Sequence, residues 1–84
     1  MRIYMQTPAL QGQPLRYYQL QIQKDLLGGW NLIRESGVQG VRGQMKRDFY
    51  ADLELAEQAL MEWRDKQLKR GYRVVFREGI PLEG

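Results

Sequence analysis

The chain of 84 residues contains no cysteine and no histidine. Without cysteine it cannot form disulfides, thiolate nucleophiles, zinc ribbons or iron–sulfur clusters. Without histidine it lacks the commonest general base and metal ligand, and Ser-His-Asp catalysis is excluded. Carboxylates, lysines and tyrosines remain, but none of them stands in a recognisable catalytic motif. The sequence therefore predicts a protein that is not an enzyme and that takes no cofactor, no metal and no small-molecule substrate.

Long apolar runs are also missing. No stretch approaches the roughly 18–20 residues that a membrane span requires, and residues 1–8 lack the long apolar core of a signal peptide. These features predict a cytoplasmic protein that does not bind a membrane. With 43% hydrophobic residues, the chain can build one modest core without disulfides. We therefore expect a single small domain over residues 1–84.

Charge is distributed unevenly along the chain, although the net charge is only +3. Residues 48–62 carry five acids and no base, whereas residues 64–77 carry six bases and one acid. This asymmetry predicts an acidic region and a basic region in the folded molecule. A basic face is a weak indication of phosphate binding.

Turn residues divide the first half of the chain into short elements. Residues 3–6 read as a short extended piece, and residues 7–14, with two prolines and a glycine, as an irregular loop. Period-two alternation predicts a strand over 16–24, and two adjacent glycines close a hairpin loop over 25–29. A second strand over 30–35, a glycine-bent connection or bulged strand over 36–43, and a third strand over 44–50 follow.

One helix and one further strand are predicted in the second half. Asp52 is a suitable N-cap for a helix that runs to about Arg70, and Gly71 ends it. Its first turns are acidic and its last turns basic, the order that the helix dipole favours. A final strand over 72–77 completes an α+β fold: a small antiparallel sheet of about four or five strands packed against one long helix, in the order β-β-β-α-β, with residues 3–6 at the sheet edge.

Several motifs occur in a fixed order along the chain: residues 17–22, residues 28–34, Gly37 and Gly40 with residues 42–44, and the helix end at residues 68–72. Their order and spacing resemble a WGR domain of the stand-alone bacterial type over residues 16–76. This resemblance implies a small antiparallel sheet with one helix. WGR domains occur in eukaryotic poly(ADP-ribose) polymerases, where they contact DNA near a break, and in bacterial proteins, where nucleic-acid binding is the usual inference.

The sequence departs from the family pattern at residues 36–38, which are Ser-Gly-Val where the family has Trp-Gly-Arg. In the family the tryptophan packs against DNA, and the arginine contacts nucleic acid and a neighbouring domain. Neither role carries over to Ser36 or Val38, and ADP-ribosylation is not implied. Two functions stay open: a module that binds DNA or another nucleic acid through phosphate-backbone contacts, or a protein-interaction module that has lost DNA binding and has a protein partner.

Two groups of residues are candidates for the nucleic-acid contacts. The first is a basic strip with one aromatic ring available for stacking: Arg34, Gln39, Arg42, Gln44, Lys46, Arg47 and Tyr17. The second is a basic patch at the helix end and the last strand: Lys69, Arg70, Arg73 and Arg77. The alternative interpretation of the first group is a solvated strand edge whose charges discourage edge-to-edge pairing. The alternative for the second group is that bases near a helix C-terminus interact favourably with the helix dipole. We expect Arg73 and Arg77 on one strand face, and Phe49 and Phe76 in the core.

Overall fold

The computed structural model describes residues 1–79. Over these residues the chain forms β1 (Arg2–Gln6), β2 (Arg16–Lys24), β3 (Trp30–Val38), β4 (Gln44–Tyr50), α1 (Leu53–Lys69) and β5 (Arg73–Glu78). The strands make one antiparallel sheet in the order β4-β3-β2-β1-β5. The predicted α+β fold is therefore confirmed.

The position of β1 differs from the prediction of an edge piece. It pairs with β2 on one side and with β5 on the other, and Ile3 and Met5 are fully buried. The sheet edges are β4 and β5. The prediction was wrong because the local pattern of residues 3–6 does not reveal that the chain returns after the helix to pair with them.

The β2–β3 hairpin sets the register of the sheet. Its loop over 25–29 is as predicted, with Gly28 and Gly29 at φ of 101° and 85°. Unbroken pairing places Lys24 opposite Trp30 and carries on to Arg16 opposite Val38. Strand β3 therefore runs three residues beyond the predicted 30–35, and the turn is confined to residues 39–43. As a result, the start of β2 lies beside this turn.

Helix α1 packs across one face of β2, β3 and β4, and the core lies between them. Its ends agree with the prediction: Asp52 occupies the N-cap position, though without a side-chain cap hydrogen bond, and Gly71 follows the C-cap with φ of 99°. The core consists mainly of apolar side chains from the sheet and from α1, together with Tyr72: Ile3, Met5, Tyr18, Leu20, Ile22, Leu32, Ala56, Ala59, Leu60 and Tyr72. Within residues 1–79, no helix is both long enough and apolar enough to cross a membrane.

Strand β5 does not keep the predicted alternation. The pairing with β1 shifts between Tyr4 and Met5, so that Arg73 faces Gln6 while Arg77 faces Ile3. Paired residues share a sheet face, so the shift places the two arginines on opposite faces and corrects the prediction that they share one. The core assignments of Phe49 and Phe76 were also wrong: these side chains are 59% and 45% exposed. Phe49 lies on the sheet face away from α1, and Phe76 lies on β5, which α1 does not cover.

Candidate nucleic-acid interface

A continuous groove runs beside the C-terminal end of α1, where β2 begins and the 39–43 turn ends. It consists of three concavities of about 550, 310 and 160 Å³. Neighbouring concavities share lining residues and are therefore joined: Arg16, Arg70 and Tyr72 at one junction, and Tyr18, Ser36 and Gln44 at the other.

The charge of this groove is of one sign. Six of the lining residues, all of which lie within residues 1–79, are basic, and none is acidic. The bases are Arg16, Arg34, Arg42, Lys46, Arg70 and Arg73. We call this feature the basic groove. Among the described residues, Arg34 alone of the six forms an ion pair. A concavity lined by charges of one sign concentrates positive potential and attracts polyanions.

Two glycines allow the wall of the groove to form where β3 ends and β4 begins. A Cβ atom on Gly37 would lie 2.8 Å from the Cα of Gly43. A Cβ atom on Gly43 would overlap the Tyr17 hydroxyl and the Ser36 carbonyl oxygen. Side chains at these positions would therefore push the two strands apart. The glycines set the path of the turn that carries Arg42.

Arg34 lies at the groove but is engaged in contacts within the fold. Its Nε donates a hydrogen bond to Asp48 Oδ2 at 3.0 Å, and its guanidinium carbon lies 4.0 Å from the centroid of the Trp63 ring. Its side chain is only 15% exposed. Burial disfavours the cation, but contacts with Tyr18 and Asp48 outweigh this effect and raise the pKa of Arg34. Arg34 therefore ties β3 to β4 and α1, with much of its charge balanced by Asp48.

The groove brings together members of both groups that the sequence suggested. It takes Arg34, Arg42, Gln44 and Lys46 from the first group, and Arg70 and Arg73 from the second. Gln39 is exposed in the turn, where its backbone N–H donates to the carbonyl oxygen of Leu15 at 2.8 Å. Lys69 and Arg77 are exposed but do not line the groove.

Two residues of the first group lie on the other face of the sheet. The Tyr17 ring stacks on Tyr4 with centroids 6.1 Å apart, and its hydroxyl donates to Glu35 at 3.2 Å. Burial, together with the Glu35 carboxylate, raises the pKa of Tyr17. Arg47 lies beside the 25–29 hairpin. The sheet separates both side chains from the basic groove.

Arg16 is the groove residue that sequence reasoning missed. The sequence pattern indicates it only as the first residue of a strand. The signal was nevertheless present, because a hairpin loop over 25–29 with unbroken pairing must place residue 16 opposite residue 38, next to the glycine-rich turn. The wall formed by residues 7–14 had no such signal, since an irregular loop has no register.

The donor set of the groove suits an anion. Guanidinium groups present planar N–H donors that bind two phosphate oxygens at once, and Lys46 adds a point charge. Metal ions need oxygen, nitrogen or sulfur ligands that donate electron pairs, which these cations do not supply. In the part of the chain that the structure describes, no group of three or more Asp, Glu, Cys or His side chains is placed to hold a metal ion.

Comparison with known proteins identifies the family of the chain. No curated protein and no solved structure matches the chain. Residues 1–78 match the WGR domain, so the match is wider than the resemblance over 16–76 and includes β1. WGR domains are nucleic-acid-binding modules and are not themselves catalytic. Because the match extends over nearly the whole chain, the chain belongs to the WGR domain family.

Proposed function

We propose that the chain is a non-enzymatic module that binds nucleic acid, DNA in the first place, by holding the phosphate backbone in the basic groove. The observation that carries the proposal is the groove itself, with six basic lining residues and no acidic one among those described. Membership of the family supports the same class of ligand. In this proposal the domain acts in the cytoplasm and has no catalytic activity of its own.

The groove favours contacts to the backbone over contacts to bases. Arg16 and Arg70 line two adjoining concavities, so both would face the same stretch of backbone. Arg42 and Lys46 come next along the groove. Contacts to phosphate fix the position of a protein on nucleic acid but carry no sequence information. We therefore expect binding that depends on backbone geometry and hardly on base sequence.

Salt dependence gives the test. The full chain is titrated against labelled single-stranded, duplex and nicked DNA of one sequence, at salt concentrations between about 50 and 200 mM, by fluorescence anisotropy. Each phosphate contact adds about −0.9 to the slope of log affinity against log salt for duplex DNA. Arg16→Gln and Arg42→Gln are each expected to reduce the magnitude of that slope by about 1.

Arg77→Gln is the matched control, because Arg77 is an exposed base outside the groove and its replacement changes the net charge equally. This variant should keep the wild-type slope. If Arg77→Gln weakens binding as much as Arg42→Gln does, binding depends on total charge and the groove proposal is wrong.

A second function is favoured by one observation. Ser36 and Val38 both line the groove, and they occupy the positions of the family's tryptophan and arginine. The alternative is a protein-interaction module that has lost DNA binding. Absence of binding to all three DNA forms at physiological salt, with circular dichroism showing a folded chain, would favour this alternative. The next step would then be the search for a protein partner.

A further inference from the structure

The tip of the β2–β3 hairpin presents two adjacent leucines to solvent. Leu26 and Leu27 are 101% and 97% exposed. They lie at the opposite end of β2 from Arg16 and the basic groove. Single exposed leucines are ordinary on protein surfaces, but two neighbours on a protruding turn form an apolar projection. We call residues 25–29 the leucine tip.

Hydrogen bonds hold the leucine tip in one shape. The two carboxylate oxygens of Asp25 accept from the Leu27 backbone N–H at 3.0 Å and from Asn31 Nδ2 at 2.9 Å. The Asp25 backbone N–H donates to the Gly29 carbonyl oxygen at 2.9 Å. A projection that is already ordered loses little conformational entropy when it binds. The leucine tip is therefore built like a preformed docking element.

The surroundings of the tip are cationic. Lys24 and Arg47 line the same surface depression as Leu26 and Leu27. The one acid there is Asp25, whose carboxylate is used by the hydrogen bonds within the turn. The complementary surface would be an apolar hollow with an acidic rim.

The chain has such a hollow on the first half of α1. A depression of about 280 Å³ is lined by Met1, Met61, Gln58 and two carboxylates, those of Glu54 and Glu57. We call it the methionine socket. Its size lies just below the range of ~300–1,000 Å³ for small-molecule pockets, and flexible methionines adapt well to aliphatic side chains. The four socket residues on α1 belong to the segment 48–62, which carries five acids and no base.

We propose that the leucine tip of one copy of the chain inserts into the methionine socket of a second copy. Apolar side chains would meet apolar side chains, and Lys24 and Arg47 would face Glu54 and Glu57. The tip and the socket lie at the same end of the sheet, because the Ile22 backbone N–H donates to the Met1 carbonyl oxygen at 2.9 Å. Reciprocal insertion would therefore close a two-fold dimer.

Sedimentation velocity of the full chain, without nucleic acid, tests the proposal. A contact of this size predicts a weak dimer, so the protein is examined up to about 1 mM. Leu26→Ser with Leu27→Ser should raise the dissociation constant of the dimer at least about tenfold, because both side chains would lose apolar burial. The matched control is Val75→Ser, at an apolar residue of β5 that is 59% exposed and does not line the groove or the socket, and it should leave the association unchanged.

Exchange of charges makes the test specific. A chain with Lys24→Glu and Arg47→Glu, and a chain with Glu54→Lys and Glu57→Lys, should each remain monomeric when alone. When they are mixed, every tip meets a socket of opposite charge, and association should return.

Three results would overturn the proposal. One is a wild-type chain that stays monomeric up to about 1 mM. Another is a dimer that neither the leucine variant nor the charge variants weaken. The third is a monomeric chain that floats with phosphatidylserine vesicles and loses this binding in the leucine variant, since the tip would then be a lipid anchor. None of these results bears on the DNA titration, which uses the opposite end of the sheet.

Discussion

The wall of the basic groove depends on the absence of a side chain at Gly43. In Gly43→Ala, the new methyl group would overlap the hydroxyl of Tyr17 and the carbonyl oxygen of Ser36. The Tyr17 ring is held by its stacking on Tyr4 and by its hydrogen bond to Glu35, so it has little freedom to withdraw. The Ser36 oxygen belongs to the backbone of β3 and moves only if the strand moves.

The size of the effect follows from these two contacts. Extra methyl groups in packed sites destabilise proteins by about 1–3 kcal/mol, and a clash with backbone belongs in the upper part of that range. We therefore expect Gly43→Ala to lower the free energy of unfolding by about 2–3 kcal/mol. For a domain of this length, the corresponding fall in Tm is roughly 8–24 °C.

Thermal unfolding followed by circular dichroism measures this effect in the wild type, Gly43→Ala, Tyr17→Phe and the double variant. Removal of the hydroxyl relieves one of the two overlaps, so the double variant should lose less stability than the sum of the single variants. A Tm for Gly43→Ala within about 2 °C of the wild type would show that the close approach of β3 and β4 does not need a glycine there.

Two further predictions concern pH. The raised pKa of Tyr17 means that the folded state holds the phenol proton more tightly than the unfolded state does. The protonated phenol therefore stabilises the fold fully below about pH 10, and this stabilisation is lost as the pH rises through the pKa of Tyr17 in the folded state. Between about pH 9.5 and 11.5, the urea concentration at the unfolding midpoint should fall less in Tyr17→Phe than in the wild type. Equal falls in the two proteins would contradict the assignment. The pKa of Asp25 is lowered by its hydrogen bonds from Asn31 and Leu27. Its contribution is therefore complete above about pH 3.9 and lost as the pH falls through the lower folded value. In an NMR pH titration, the chemical shifts of the Leu27 amide and the Asn31 side-chain amide should change only below about pH 3.9, and they should not change in Asp25→Asn. A titration midpoint at or above that pH would refute the reasoning.

Local pattern predicted most of the elements. The bounds of β2 agree with the alternation over 16–24, because a strand with one face in the core must alternate in polarity. The bounds of β4 agree with the predicted 44–50, although its apolar residues Met45 and Phe49 are exposed. Helix α1 agrees within a residue at each end, since a cap and a glycine mark its limits. The place of β1 inside the sheet and the shifted pairing of β5 could not be predicted, because both depend on which strands meet after the chain has turned back on itself.

The candidate site was likewise predictable in part from the sequence, while its assembly depended on the tertiary structure. The residue types alone determined that thiolate and imidazole chemistry is excluded and that residues 64–77 are basic, with six bases and one acid. They also determined which residues were candidates, including Arg42, Lys46 and Arg70. Only the tertiary structure decided which of the candidates share a groove. The hairpin register added Arg16, and the path of α1 brought Arg70 to the glycine-rich turn. Strand alternation left Tyr17 and Arg47 on the other face, because a side chain one residue along a strand points to the opposite side of the sheet.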